Sequence, residues 1–202
     1  MGDHVLFFYG TLMAPQILHR VIHGRADPEH WQKALLTFQP AVLHGYRRHR
    51  VRGADYPGII RASDSSQSTE QPEKEPTNGI EDSNLARTSV LGTLVSGLTD
   101  GDVHRLDIYE GSEYAHEKVK VRTLKEALHQ EQEYEHSNPG SGRNLRDVLE
   151  AAGAEFADEN EEVEAVTYVW TDGAERLEGA EWDFETFKRD KMAWWFDDDD
   201  QW

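Results

Sequence analysis

The chain has no cysteine among its 202 residues. Disulfides and thiolate chemistry, whether metal-binding or nucleophilic, are therefore excluded. It also lacks any apolar run near the roughly 18 residues that a membrane span requires. Met1 to Phe8 is too short and too acidic for a signal peptide, so a cytoplasmic protein with no membrane partner is expected. Basic residues are scarce: 21 Lys and Arg stand against 39 Asp and Glu, a formal net charge of −18. Such a field repels a phosphate backbone, and nucleic acid is not an expected partner. The acid excess reads first as solubility, with a cationic partner or substrate as the alternative. Hydrophobic residues make up only 37 %, which is low for a compact domain, so part of the chain is expected not to pack.

What is present falls into short structured stretches separated by polar ones. Val5 to Tyr9 is an apolar and aromatic run closed by Gly10, and reads as a buried strand. Thr11 is placed to cap the first helix, and Pro15 suits the opening turn of that helix. Ile17, Leu18, Val21 and Ile22 recur at helical spacing up to a stop at Gly24. Leu35 to Tyr46 reads as a strand region interrupted by Pro40 and Gly45, and Tyr56 to Ile60 as another strand. Residues 62–89 are nearly devoid of large apolar side chains and are expected to be a disordered insertion. Val90 to Val95 has strand composition, and Thr99 to Asp102 is a turn or helix cap. Val103, Leu106 and Tyr109 share one helical face that ends at Gly111. Tyr114 to Val121 reads as a strand with Val119 and Val121 facing the same way. Residues 125–162 form a second polar insertion with a patchy helical signal, best at Leu145 to Ala152. Ala165 to Trp170 is a last strand. An aromatic helix over 181–196, with Trp182, Phe184, Phe187, Met192, Trp194, Trp195 and Phe196, is expected to dock on the body. The run Asp197 to Asp200 comes after it and is expected to be solvated. One α+β domain spanning residues 1–202, around a mixed sheet or small barrel, is the expected architecture.

Two places carry chemistry. In Tyr9-Gly10-Thr11-Leu12, a glycine joins a buried strand to a helix and turns backbone N–H groups outward. Those groups, with the positive helix end behind them, suit a carboxylate or a developing oxyanion. In Leu106-Asp107-Ile108-Tyr109-Glu110-Gly111-Ser112-Glu113-Tyr114, Glu110 closes a short helix. The negative end of the dipole, with desolvation by Tyr109, is expected to raise its pKa toward what a general base needs near neutral pH. Asp107 and Glu113 are the rival carboxylates, and Asp107 lies three residues from Glu110, within reach of the same face. Taken singly, each place reads more readily as an ordinary strand-to-helix turn or a solvated acidic turn than as a site. His19 and His23 stand four apart on a helix, but no third metal ligand accompanies them and a surface position is expected; His4 shows no ligand spacing either. No metal site is expected.

Together, the Tyr-Gly-Thr-Leu turn and the Leu-Asp-x-(aromatic)-Glu-Gly-x-x-Tyr segment, continued by the valine strand, resemble the γ-glutamylcyclotransferase-like superfamily. The branch most similar is that of plant avirulence-induced proteins and their fungal relatives, with γ-glutamylamine cyclotransferase. The resemblance covers most of Val5 to Val121, and Ala165 to Trp170 is similar to the family's last core strand. It implies an α+β fold, a small mixed-strand β-barrel flanked by helices. It implies that Glu110 is the catalytic acid–base, that Tyr9, Gly10, Thr11 and Leu12 cradle the γ-glutamyl head, and that Tyr114 lines the pocket. The implied substrate is a small γ-glutamyl amine or amino acid, cyclised to 5-oxoproline without metal, nucleotide, other cofactor or covalent enzyme intermediate. A related lyase or amide-cleaving enzyme, or a non-catalytic binding or regulatory protein on the same fold, is the alternative. Many relatives carry an arginine two residues past the tyrosine, where this chain has His116. That substitution removes a permanent charge and a bidentate fork. Neither the leaving amine nor the oligomeric state is legible.

Overall fold

A computed structural model describes residues 2–65, 88–124 and 159–192. The inner part of the first polar insertion, the helical signal at Leu145 to Ala152, the aromatics Trp194, Trp195 and Phe196, and the run Asp197 to Asp200 lie outside the described residues. The elements are β1 (His4–Phe8), α1 (Pro15–His23), α2 (His30–Lys33), β2 (Thr37–His44), β3 (Tyr46–Arg50), β4 (Pro57–Arg61), α3 (Ala62–Ser65), β5 (Ser89–Leu98), α4 (Asp100–Glu110), β6 (Tyr114–Leu124), β7 (Glu159–Trp170) and α5 (Phe184–Asp190). Five strands close into a barrel in the order β1-β5-β2-β6-β7, and β3 and β4 form a separate two-stranded ribbon. Neighbours around the barrel are antiparallel except where β1 meets β7 in parallel, at Leu6 opposite Val166.

Alternation along the strands builds two cores. Phe7, Tyr9, Leu43, Leu94, Val119, Val121 and Ala165 pack in one cluster made of strand residues, to which the ribbon adds Tyr46 and Ile59. The opposite face of β1, Leu6 and Phe8, packs with Ile17, Leu18 and Ile22 of α1 and with Leu106 of α4. Each of those aliphatic side chains stabilises the helix layer by about 1.5–3 kcal/mol on burial. Trp182, Phe184 and Phe187 join the same layer, with the Trp182 indole donating to the Asp55 carbonyl at 2.9 Å. Of the aromatic helix expected over 181–196, the described residues form a helix over Phe184–Asp190.

Several expectations about local structure change. Thr11 caps nothing: it lies inside a 3-10 turn, Thr11–Met13, and α1 starts one turn later, with Ala14 as its N-cap and Pro15 in its first turn. Pro40 does not break β2. It faces Thr93 of β5, while the ladder to β6 is in register only at Ala41 and Val42, so the missing N–H falls beside the end of that ladder. The first insertion is narrower than 62–89, since Ala62–Ser65 is helical and Ser89 pairs with His44. The second ends before 162, because β7 begins at Glu159 and pairs with β6. Cross-strand charge explains why so acidic a stretch can be a strand: Lys120 of β6 donates to Glu162 at 2.8 Å.

Candidate active site

Helix α4 delivers Glu110. Thr99 opens it with a capping box, its hydroxyl accepting the Asp102 N–H at 3.2 Å while Asp102 accepts the Thr99 N–H at 2.9 Å. Leu106 is fully buried beneath the helix. Glu110 is its last residue, and Gly111, at φ +74°, turns the chain away in a conformation that other residues rarely adopt. The side chain keeps part of its surface open to a pocket, but its carboxyl is deeply enclosed. Burial pushes its pKa from 4.5 up to about 8. The direction is the expected one, and burial is its cause. No hydrogen-bond or ion-pair partner reaches the carboxyl among the described residues.

The reason lies in the pocket's phenols, each of which spends its hydroxyl elsewhere. Tyr9 donates to the Tyr168 carbonyl at 2.7 Å, Tyr114 to the Pro57 carbonyl at 2.9 Å, Tyr168 to Asp107 at 2.8 Å and Tyr56 to Glu113 at 2.9 Å. Burial above all raises the pKa of Tyr9, Tyr114 and Tyr168, so all three stay protonated near neutral pH. The result is an apolar-sided cavity with a single carboxyl and no donor committed to it. Opposite stands the turn after β1. Thr11 and Leu12 are buried in the first turn of a helical segment, where N–H groups have no intrahelical acceptor. The Thr11 hydroxyl lies 3.2 Å from the Tyr109 hydroxyl, which ties the turn to α4. Gly10 is needed for closeness, because a Cβ there would sit 2.9 Å from Cγ of Pro57.

Tyr9, Gly10, Thr11, Leu12, Glu110 and Tyr114, the residues singled out in the sequence, all line this one pocket. It is tight, about 20 Å³, which is room for a water molecule or two. The rival carboxylates lie apart from it. Asp107 accepts from Tyr168 and forms an ion pair with His116, and Glu113 accepts from Tyr56 and Arg176. Sequence reasoning missed Tyr56, Pro57 and Tyr168 as wall residues. The first two read only as the start of a strand and Tyr168 only as part of the last one. The β6–β7 register, Tyr114 opposite Trp170 and His116 opposite Tyr168, is what brings Tyr168 here. A wider cleft of about 630 Å³, lined by His44, Arg61, Lys118 and Lys120 among others, contains none of these site residues. His19, expected at the surface, is 5 % exposed: its ring stacks on His23 at 5.5 Å and meets Phe38 edge-on at 5.9 Å. Among the described residues no group of three or more metal-ligating side chains forms, and no helix is long and apolar enough to cross a membrane.

Residues 6–70 match a family described as "Gamma-glutamyl cyclotransferase, AIG2-like". The Arabidopsis thaliana protein AIG2 C is 24 % identical over 92 % of this chain and 73 % of its own length. The AIG2-like protein B of the same plant is 25 % identical over 92 % of this chain and 70 % of its own. Among solved structures, an Arabidopsis thaliana protein in solution aligns with a TM-score of 0.48 and 21 % identity, over 96 % of this chain and 78 % of that one. A yeast γ-glutamyl cyclotransferase specific to glutathione aligns with a TM-score of 0.46 and 16 % identity, over 90 % of this chain and 74 % of that one. Over residues 6–70 the chain is thus similar to the γ-glutamyl cyclotransferase, AIG2-like family, and over nine-tenths of its length to AIG2 proteins, which supports the γ-glutamylcyclotransferase-like superfamily.

Proposed function

We propose that the protein releases 5-oxoproline from a γ-glutamyl amine or γ-glutamyl amino acid, with Glu110 as general base and then general acid. The observation that carries this reading is the partnerless Glu110 carboxyl, held near a pKa of about 8 by burial and opening on the same pocket as the Tyr9–Leu12 turn. In such substrates the α-amine lies within reach of its own γ-carbonyl, and holding the chain curled removes much of the entropic barrier. Glu110 takes a proton from the α-ammonium, and the nitrogen forms a bond to the γ-carbon. The N–H groups of the turn steady the tetrahedral oxyanion. As the oxyanion collapses, the bond from the γ-carbon to the leaving nitrogen breaks, and Glu110 returns its proton to that amine. A raised pKa suits both halves, since the group is basic enough to take the proton and acidic enough to return it. The pocket holds no more than a water or two, so its walls must part for the substrate to enter.

The test is 5-oxoproline release across a panel of γ-glutamyl compounds. Glu110→Gln is expected to lose about 10²–10⁴-fold in kcat with its fold retained. Because the base form is the active one, kcat/KM is expected to rise with pH until about 8 and then level. Turnover by Glu110→Gln at the wild-type rate refutes the assignment. Binding of a γ-glutamyl compound in calorimetry with no turnover across the panel favours a binding protein instead.

A further inference from the structure

The role assigned to Glu110 requires that the last turn of α4 stay in place, yet helix C-termini fray. Gly111 comes directly after, at φ +74°, and ends the helix there. Leu106 anchors the helix one turn earlier, and the Tyr109–Thr11 contact, at 3.2 Å, is long for a hydroxyl pair. The firmer hold is Asp107. Its Oδ1 accepts the Tyr168 hydroxyl at 2.8 Å and faces Nε2 of His116 at 2.8 Å. Those two residues come from two strands, directly opposite one another in the β6–β7 register, and their rings meet edge-on at 4.8 Å. Asp107 thus joins α4 to two strands of the closed barrel, by a hydrogen bond from Tyr168, of the stronger kind made to a charged group, and by a half-exposed ion pair with His116.

We propose that His116 and Tyr168 are positioning residues: through Asp107 they pin the last turn of α4 to β6 and β7, and so set where Glu110 stands against the Tyr9–Leu12 turn. His116 thereby has a function in the site although it does not line the pocket. This rests on Glu110 being the working acid–base. A tether of this kind acts on the placement of Glu110 more than on the cradle for the substrate head. Its loss falls on kcat rather than KM, and lets water reach the carboxyl.

The experiment uses the full chain with His116→Ala and Tyr168→Phe, each made in the wild-type and in an Asp107→Ala background. His116 is largely exposed on its strand, with 42 % of its side chain accessible, so His116→Ala leaves the core untouched. One readout is kcat and KM. The other, which needs no turnover, is the titration midpoint of the Glu110 carboxyl by ¹³C NMR in the ligand-free protein. Each single variant is expected to lower kcat about tenfold with KM little changed, and to lower the midpoint by about one pH unit. In the Asp107→Ala background neither change is expected to add anything. His116→Gln, which keeps a donor near the Nε2 position, is expected to restore most of the kcat. Wild-type kcat and midpoint in both single variants overturn the proposal, as do undiminished effects in the Asp107→Ala background. If the wild-type protein cyclises no γ-glutamyl compound, the functional reading falls, and the NMR arm alone decides the tether.

Discussion

A carboxyl whose pKa rises from 4.5 to about 8 on folding holds its proton more tightly in the native chain than in the unfolded one. Between those values the native state binds the extra proton, so the stability contributed by this group falls as pH rises, and is flat above about 8. Glu110→Gln removes that penalty. It is expected to match wild type near pH 4 and to be more stable by about 1–3 kcal/mol at pH 8, allowing for the side open to the pocket. Urea unfolding at both pH values measures this, and a variant less stable at pH 8 would contradict the enclosed, partnerless carboxyl. An activating residue that costs stability is the trade expected at a site. Gly10 makes the same point sterically. A methyl group there meets Cγ and Cδ of Pro57 at 2.9 and 3.0 Å, and the Pro57 carbonyl in turn holds the Tyr114 hydroxyl. Gly10→Ala is therefore expected to move a pocket wall, lowering kcat/KM about tenfold while costing only about 1–2 kcal/mol in thermal unfolding.

Elements were legible where one local rule governs them. The run Val5 to Tyr9, the Thr99 cap, the stop at Gly111 and the paired Val119 and Val121 each arise from composition, capping or alternation. All reappear within a few residues of the expected bounds. Thr11 misled because a capping residue type says nothing about how many residues separate strand from helix. The acidic start of β7 misled because its partner, Lys120, lies 42 residues away in sequence. The wall residue Tyr168 and the role of His116 depend on the β6–β7 register, and no local pattern encodes register across a long insertion. His19 failed for a related reason: a polar residue at helical spacing reads as surface until Phe38 of β2 is brought against it. That burial has a consequence for α1. His19 is held neutral, its pKa pushed from 6.5 to about 4 first by burial, then by His23 and Lys33, with Asp27 opposing. A depressed histidine contributes stability above pH 6.5 that is lost as pH falls from there toward 4. The loss is expected to be on the order of 2 kcal/mol. His19→Leu should remove most of this slope in unfolding curves at pH 4.5 and 7, whereas an unchanged slope would locate the acid sensitivity elsewhere.

At the scale of the whole molecule, charge is the property that packing does not explain. The chain carries 39 acidic and 21 basic side chains. Those basic groups that pair do so mainly at the surface: Lys120 with Glu162 and Arg25 with Glu29 are both well exposed. Pairs of this kind contribute about 0–1 kcal/mol each and weaken in salt. The acidic excess repels itself over distances comparable to the molecule when the Debye length is long, and only weakly once salt shortens it to several ångströms. The two effects of salt oppose each other, and the excess of 18 negative charges decides the sign. Raising sodium chloride from about 20 mM to about 0.5 M is therefore expected to raise the melting temperature by about 2–5 °C. The Glu110 pocket gives an internal control. Its electrostatics come from burial rather than from neighbouring charge, so the same change of salt should leave the pH midpoint of kcat/KM nearly where it was. A melting temperature that falls with salt would mean that the surface ion pairs outweigh the net field. A kinetic midpoint that moves strongly with salt would mean that Glu110 is tuned by charge and not by desolvation.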